Sequence, residues 1–490
     1  MQRRIGIFIL VGTLAGLGLA VPASAAPADP APCVTVPSPT QSGYSIADPT
    51  CDFNGSTYTG GRFTPLTDAA GNPVSRVFTG ILNGAAYRVE VPLAWHGDLV
   101  LYAHGYRGTG TTVWVGLDYL RQYYVAHGFA WAASSYQTNG YDVNHGVTDT
   151  HALIGLFGSL VGAPRDVYMT GASMGGHVTG VEIEKYRDFA GAMPICGVLG
   201  DTKLFDFHLD ANVLAAGLTG TPISYPASLA AGQAYAPTYD GLVLSELPKL
   251  GSGFTAGNPA GVTLTPLGQE WAAAVQQRSG GTRPGFASGF AFWSSFGFAP
   301  LTNIPFLFGL YPGLTGGTIG IAPGNVAGNV DTVYRLSGGH RPLTPAEIAL
   351  NAEVLRVAAT TPASPDLTGI PAVFGDPRIP VLSMHDIDDL FVPFSMEQIY
   401  ADRVAAHHES GLLVTRAIRG VGHCDFTESE LEQGFAALVG WVRQGERPAG
   451  DQIRNAEVVA KPTFGCRFTD HSPGVHVTFV GVACPTEDED

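Results

Sequence analysis

Asp166-Val-Tyr-Met-Thr-Gly-Ala-Ser-Met-Gly175 is the segment that decides the fold of this 490-residue chain. Residues 166–171 have the pattern of a strand, and helical spacing runs from about 174 to 186. Between them, Gly171-Ala-Ser173-Met-Gly175 is a G-x-S-x-G motif, in which a strained strand-to-helix turn raises the serine oxygen above the edge of a sheet. Glycine is needed on both sides because side chains there would collide with neighbouring backbone. The segment therefore predicts a nucleophile, Ser173, on a sheet covered by helices.

Strands and helices alternate on both sides of this turn. Strands are predicted at 77–82, 86–92, 98–103, 128–134, 189–196, 379–384 and 412–418. Helices are predicted at 112–127, 147–160, 397–408 and 429–444. Since strands separated by helices of this length connect through parallel crossovers, the predicted fold class is α/β, with a doubly wound, mostly parallel sheet. Asn83-Gly84, between the first two strands, is the signal for a type I′ hairpin turn.

The alternation breaks at 201–365, where glycine and proline punctuate the chain and helices are predicted near 211–216, 268–277 and 344–359. We therefore expect an α/β core at 73–200 and 366–447, with a cap or lid inserted at 201–365. An irregular lead-in at 26–72 and a disulfide-closed C-terminal appendage at 448–490 complete the predicted organisation.

The inserted stretch has an unusual composition between Pro284 and Val330. It contains no Asp, Glu, Lys or Arg, and aromatic residues such as Trp293 and Phe296 crowd it. Two interpretations stay open. The aromatic residues either form the core of the cap, or they line an apolar substrate groove or an interfacial lid.

The N-terminus predicts export. Arg3-Arg4 precedes an uncharged stretch, and Ala23-Ser24-Ala25 has the small residues that a signal peptidase needs. A basic start, a short apolar core and such a site indicate a Sec-type signal peptide at 1–25, cleaved near Ala25, and hence a secreted protein. The apolar run is short for a membrane span of roughly 20 residues. The net charge is −16, with no basic cluster after the leader, which argues against nucleic acid or anionic membranes as partners.

Six cysteines follow the leader, and an even set in an oxidising compartment predicts disulfides. Sequence alone allows 15 connectivities. Proximity along the chain favours three pairs: Cys33–Cys51, Cys466–Cys484 and, from the remainder, Cys196–Cys424. Residues 196 and 424 both follow predicted strands, so we expect them at the carboxyl edge of the sheet; two free buried thiols are the alternative. No C-x-x-C pair supports a zinc or redox site.

A serine hydroxyl needs a base to accept its proton. Gly420-Val-Gly-His423-Cys424 lies after the last predicted strand and before the last helix, and of the 14 histidines only His423 has this order and setting. His423 is therefore the predicted base. His177, one helical turn beyond Ser173, is predicted to be structural.

The predicted acid lies between the serine and the histidine. His385-Asp-Ile-Asp-Asp-Leu-Phe-Val-Pro393 is similar to the H-G-x-x-D-x-x-V-P segment of many α/β-hydrolases, with Asp386 in place of the glycine. In that register Asp389 is the acid, which would hold the imidazole in the correct tautomer. Three alternatives stay open: Asp386, Asp388 and, past an earlier strand, Asp201.

A tetrahedral oxyanion needs two amide donors. The first candidate is the N–H of Met174, at the start of the helix that follows the nucleophile. The second comes from His104-Gly-Tyr-Arg-Gly108, after an early strand, with the Tyr106 amide as the predicted donor.

This order of motifs resembles the α/β-hydrolase superfamily over about residues 75–200 and 370–446. The resemblance suggests secreted lipases, polyester depolymerases, and tannases with feruloyl esterases as relatives. It implies hydrolysis of a small-molecule or polymeric carboxylic ester through an acyl-enzyme intermediate on Ser173, without a cofactor. No metal is expected either, since 386–389 lacks the spacing of a calcium loop. A secreted peptidase or aminopeptidase, an acyltransferase and an inactive binding module are the alternatives, and the natural substrate and oligomeric state are left open.

Overall fold

The computed structural model describes residues 32–226, 228–254, 258–295, 304–315, 325–339, 341–364, 367, 369–476 and 484. The predicted signal peptide and the acidic C-terminal residues Glu487-Asp-Glu-Asp490 lie outside these residues. Across the described part of the chain, no helix combines the length and the hydropathy that a membrane span requires.

The strands of the described residues fall into one large sheet and three small ones. In chain order they are β1 (Thr35–Pro37), β2 (Ser45–Ala47), β3 (Cys51–Asn54), β4 (Thr57–Arg62), β5 (Ser75–Leu82), β6 (Ala85–Pro92), β7 (Leu99–Ala103), β8 (Thr112–Val113), β9 (Ala130–Ser134), β10 (Val167–Ala172), β11 (Gly191–Ile195), β12 (Gly251–Ser252), β13 (Thr263–Leu264), β14 (Val381–Asp386) and β15 (Leu413–Ile418).

The α-helices alternate with these strands. In chain order they are α1 (Arg121–Ala126), α2 (Val143–Leu160), α3 (Met174–Lys185), α4 (Lys203–Thr219), α5 (Leu229–Leu250), α6 (Pro266–Arg278), α7 (Phe286–Ser295), α8 (Phe306–Gly309), α9 (Pro345–Glu353), α10 (Ser395–Ala406), α11 (Glu428–Gln444) and α12 (Ala456–Val459).

The large sheet has eight strands in the order β15-β14-β11-β10-β7-β9-β6-β5. The six strands from β15 to β9 are parallel, and β6 is antiparallel to both β9 and β5. This order, with a strand-to-helix turn after β10, is that of the α/β-hydrolase fold, so the predicted fold class is confirmed. Asn83 and Gly84 both have positive φ between β5 and β6, which confirms the predicted hairpin turn.

Helices cover both faces of the sheet. Successive strand residues point to opposite faces, so each strand contributes side chains to both layers. On β7, Leu99 and Leu101 lie in the core formed with α2 and α3. Val100 and Tyr102 lie in the second core, which includes Phe435 of α11. The strands are therefore buried on both faces, as their continuous apolar runs predict.

The lead-in is more ordered than predicted. Residues 26–72 were expected to be irregular, yet β1 pairs with β2, β2 pairs with β8, and β3 pairs with β4. Arg88 of β6 donates hydrogen bonds to the carbonyl oxygens of Pro49 and Cys51 and to the Asp52 carboxylate. These contacts hold the lead-in against the sheet from a distant part of the chain, so local composition does not reveal them.

Several helix predictions need correction. The helix expected at 112–127 is only α1, since residues 112–113 pair as β8. In the described part of the insertion, α5 and α7 were not predicted, and the helix expected at 344–359 ends at Glu353. Pro237 and Pro248 lie inside α5, and proline usually ends a helix. The domain boundaries stay predictions.

Three disulfides join the cysteine pairs that the sequence favours: Cys33–Cys51, Cys196–Cys424 and Cys466–Cys484. The second closes a sequence separation of 228 residues, and the other two each close 18. Cys196 follows β11 and Cys424 follows β15, so the long disulfide joins two loops at the carboxyl edge of the sheet.

Removing the long disulfide should cost more stability than removing a short one. In a chain-entropy model, loop lengths of these sizes correspond to upper figures of about 5 and about 3 kcal/mol. We expect the Cys196→Ser/Cys424→Ser variant to lose more unfolding free energy in urea than the Cys33→Ser/Cys51→Ser control. Non-reducing peptide mapping of the native protein provides the direct check, and free thiols at 196 and 424 would contradict the pairing.

Candidate active site

Ser173 lies in the turn between β10 and α3 with φ 60° and ψ −121°, a conformation that is strained for a residue with a side chain. A Cβ atom on Gly171 would lie 2.2 Å from the Gly175 carbonyl oxygen, and one on Gly175 would lie 2.0 Å from the Ala103 carbonyl oxygen. Neither position has room for a side chain. The two glycines of the motif thus permit the close approach of β7, β10 and α3 that holds the serine.

His423 contacts both of its predicted partners. Its Nε2 lies 2.7 Å from Ser173 Oγ, and its Nδ1 lies 2.6 Å from Asp389 Oδ2. The Asp389 carboxylate is fully buried, whereas the His423 side chain keeps 18% of its exposure. The structure therefore brings the three predicted residues into one hydrogen-bonded chain that ends at an accessible serine.

Backbone donors fix the Asp389 side chain. Its Oδ1 accepts hydrogen bonds from the N–H groups of Phe391 and Val392, at 2.8 and 3.2 Å, which leaves Oδ2 for His423. The Phe391 ring packs edge-on against the His423 ring, with centroids 4.9 Å apart. These contacts orient both members of the acid–histidine pair.

The rival carboxylates have other partners. Asp386 accepts from the Asp425 N–H at 2.9 Å, and burial together with the neighbouring Asp389 raises its pKa well above the usual range. Asp388 lies 3.2 Å from Arg283, and burial raises its pKa to about 7. Asp201 pairs with Arg403 at 2.7 Å. Among the four candidates, Asp389 is therefore the one that contacts His423.

Both predicted oxyanion donors belong to segments that lie beside the serine. Met174 is the first residue of α3, where backbone N–H groups have no acceptor within the helix. The loop that carries Tyr106 passes close to the nucleophile, since a Cβ atom on Gly105 would lie 3.1 Å from Ser173 Cβ. His177 is buried and bonds to the Tyr141 hydroxyl and the Pro371 carbonyl oxygen, as expected for a structural residue.

The Cys196–Cys424 disulfide lies beside the histidine. Cys424 Sγ is 3.6 Å from His423 Nε2, and ligand atoms of Cys196, His423 and Cys424 lie within 4.8 Å of one another. This is a spacing that a metal ion could use. Because both sulfur atoms are joined in the disulfide, they do not provide the thiolates that a metal would bind.

The insertion packs onto the loops that carry the acid and the histidine. Trp293 of α7 donates from Nε1 to the Val421 carbonyl oxygen at 2.8 Å, two residues before His423. His208 of α4 contacts the Phe391 carbonyl oxygen at 3.0 Å, and the Phe306 ring packs against the Phe391 ring.

Most of the described aromatic residues of the uncharged stretch are buried: Phe286, Phe290, Trp293, Phe306, Phe308 and Tyr311. This favours the interpretation that they form the core of the insertion. Phe296 and Phe298 lie outside the described residues.

A cleft of about 450 Å³ opens above the serine. Its lining includes Ser173, His423, Phe391 and a set of residues from the 102–119 region: Tyr102, His104, Tyr106, Arg107, Trp114, Leu117 and Tyr119. The sequence interpretation missed the contribution of Arg107, Trp114 and Tyr119. A charged residue inside the loop predicted to bind the oxyanion was the available signal for Arg107.

Comparisons with known proteins find matches of low similarity. No protein-family model matches the chain. A stretch of 77 residues is 34% identical to the o-phthalyl amidase of Xanthobacter agilis, but it spans only 16% of this chain and 17% of that protein. Feruloyl esterase B from Aspergillus oryzae matches 79% of this chain and 86% of its own, with a TM-score of 0.44 and 14% identity. Tannin acyl hydrolase from Aspergillus niger matches 74% of this chain and 76% of its own, with a TM-score of 0.42 and 16% identity. The fold assignment therefore rests on the strand order.

Replacing Asp389 with Asn should lower kcat by about 10³–10⁴-fold, because the amide no longer holds the histidine in the required tautomer. Asp386→Asn and Asp388→Asn are matched controls, since both change an equally buried aspartate within three residues of Asp389. We expect each control to keep far more activity per folded molecule. If only the Asp388 variant lost activity, Asp388 and not Asp389 would be the catalytic acid.

Trp293→Phe should reduce turnover by loosening the histidine loop. The change removes the indole donor to Val421, and an unpaired buried carbonyl costs about 1–3 kcal/mol. Trp271→Phe is the control, because Trp271 makes the same kind of bond to the Ala211 carbonyl oxygen at 2.8 Å, within the insertion. Both variants should melt at lower temperature, but only Trp293→Phe should also lower kcat at a temperature where both are folded. Equal kcat losses would indicate a general stability effect.

Proposed function

We propose that this protein is an exported serine hydrolase that cleaves a carboxylic ester through an acyl-enzyme intermediate on Ser173. The observation that carries the proposal is the chain of contacts from Ser173 Oγ through His423 to the buried Asp389. An accessible serine, a histidine and a buried carboxylate in this order are the groups that acyl transfer requires.

In the first half-reaction, the Ser173 hydroxyl gives its proton to His423 Nε2 while its oxygen bonds to the ester carbonyl carbon. The carbonyl electron pair moves onto oxygen, and the N–H groups of Tyr106 and Met174 stabilise that oxyanion. When the intermediate collapses, the bond to the alcohol oxygen breaks, and His423 returns the proton to the departing alkoxide. Water then repeats the same steps on the acyl-enzyme and releases the acid.

Asp389 supports both proton transfers without changing its own protonation. It accepts the Nδ1–H of His423, so that Nε2 is the nitrogen that faces Ser173, and its charge stabilises the imidazolium that forms. The two backbone N–H donors on its other oxygen hold the carboxylate in place while the histidine charge changes. The geometry therefore suits a histidine that acts first as base and then as acid.

Export fits the covalent structure. Three disulfides join all six cysteines, and such bonds persist in oxidising compartments. The predicted signal peptide supports the same location.

Amide hydrolysis is the second candidate, and the local identity to an amidase is the observation that favours it. Both reactions use the same acylation chemistry, but an amine leaving group must receive a proton before it departs. The triad alone therefore does not distinguish ester hydrolysis from amide hydrolysis.

Ser173→Ala should lower kcat by as much as a millionfold and abolish labelling by a fluorophosphonate probe, since the nucleophile is lost. Ser159→Ala is the control, because Ser159 is an exposed serine on α2 whose hydroxyl donates to the Gly155 carbonyl oxygen within the same helix. We expect the native protein to hydrolyse 4-nitrophenyl acetate faster than 4-nitroacetanilide. Faster cleavage of the anilide would favour the amidase, and normal turnover by Ser173→Ala protein would refute the assignment.

A further inference from the structure

Of the described residues that line the cleft above Ser173, Arg107 has the one permanently charged side chain. Among the described residues that line the cleft there is no Asp or Glu, and the other walls are largely aromatic: Tyr102, Tyr106, Trp114, Tyr119 and Phe391. Arg107 follows directly after Tyr106, whose amide we assign to the oxyanion site. The Arg107 side chain lines the same cleft as the nucleophile Ser173.

The surrounding loop holds the guanidinium in position. Arg107 stacks on the Trp114 ring, with 3.8 Å between its central carbon and the ring centroid, and donates from Nη1 to the Trp114 carbonyl oxygen. A Cβ atom on Gly116 would lie 2.6 Å from Nη2, so the glycine leaves room for the charged group. These contacts orient the guanidinium, but they do not neutralise it.

Two of the buried arginines in the described chain have carboxylate partners. Arg88 pairs with Asp52 at 2.8 Å, and Arg283 pairs with Asp388 at 3.2 Å. Within the described residues, Arg107 forms no such pair. The next acid along the chain, Asp118, accepts from the Leu120 N–H, and burial raises its pKa to about 7.

Arg107 keeps its charge at neutral pH, although burial lowers its pKa to about 10. A charge removed from water is unfavourable unless a partner compensates it. Arg107 is partly buried, and the described residues around its guanidinium supply aromatic rings and a carbonyl oxygen but no anion. A bound substrate with a carboxylate would supply it, through the charge-assisted hydrogen bonds that a guanidinium forms with carboxylates.

We propose that Arg107 binds a carboxylate of the substrate, so that the protein acts on esters in which an acidic group is attached to an aromatic or apolar body. The inference rests on the proposed function and names its substrate class. Arg107 acts here as a specificity residue, since the carboxylate that it binds is separate from the carbonyl that Ser173 attacks.

Two matched substrate pairs test the proposal, each differing by one charge. On the alcohol side, 4-acetoxybenzoate is compared with 4-acetoxybenzamide. On the acyl side, 4-nitrophenyl hydrogen glutarate is compared with its neutral glutaramate analogue. Arg107→Met removes the charge and keeps the aliphatic stem. Arg76→Met is the control, because Arg76 is exposed on β5, outside the cleft, and stacks on Phe78.

We expect Arg107→Met to lower kcat/KM for the carboxylate member of at least one pair by about tenfold or more, since hydrogen bonds to charged groups are worth that much. For the neutral member of each pair, kcat/KM should change less than threefold. Arg107→Lys should recover part of the kcat/KM that Arg107→Met loses on the carboxylate member. Arg76→Met should leave kcat/KM unchanged for both members of each pair. Equal losses for both members in each pair would show that Arg107 only supports the loop, and this would overturn the proposal.

Binding separates the failure of this proposal from the failure of the proposed function. Calorimetry on Ser173→Ala protein, with the intact 4-acetoxybenzoate and 4-acetoxybenzamide and with the glutarate pair, needs no turnover. Tighter binding of a carboxylate member, lost in the Ser173→Ala/Arg107→Met protein, supports the inference even if the native protein cleaves no ester. Equal binding within both pairs refutes it, even if the native protein cleaves all four compounds.

Discussion

The backbone of Ser173 is the constraint on which the site depends. A non-glycine residue at φ 60° costs on the order of 1–3 kcal/mol, so the surrounding structure must enforce it. The Ser173 N–H donates to the Ile195 carbonyl oxygen at 2.9 Å, and its own carbonyl oxygen accepts from Val198. Because β11 and the residues after it hold the turn in this way, while two glycines admit the neighbouring backbone, the serine oxygen is held within reach of His423.

The same kind of strain recurs in the loops that meet the serine. Cys196 and Cys424 also have positive φ, at 44° and 54°, and the disulfide joins them. The Cys196 N–H donates to the Met384 carbonyl oxygen, which ties the end of β11 to β14, the strand that precedes Asp389. Three chain segments are therefore fixed relative to one another by the backbone and the disulfide. The triad geometry is therefore set mainly by the backbone and the disulfide, and less by contacts among the triad side chains.

The sequence was informative where structure is local and silent where it depends on distant contacts. The strand–Ser173–helix turn and the order of acid and histidine follow from local patterns, and the fold class follows from the alternation of strands and helices. The strands of the lead-in depend on Arg88, which is far away along the chain. The helix α5 forms despite two prolines that locally argue against it. Composition alone also left the role of the aromatic stretch open, since burial of Trp293 is a property of the packed insertion.

The overall charge makes the position of Arg107 more informative. With a net charge of −16, the chain as a whole repels anions. At physiological ionic strength, exposed charges are screened over a Debye length of about 8 Å, so this repulsion is weak at long range. Inside the aromatic cleft the screening is smaller, and a charge at short distance dominates. An acidic substrate would thus gain little from long-range steering and would be recognised after it enters the cleft. At this stage Arg107 would bind the carboxylate in the same cleft in which Ser173 attacks the ester, so recognition would also help to position the ester.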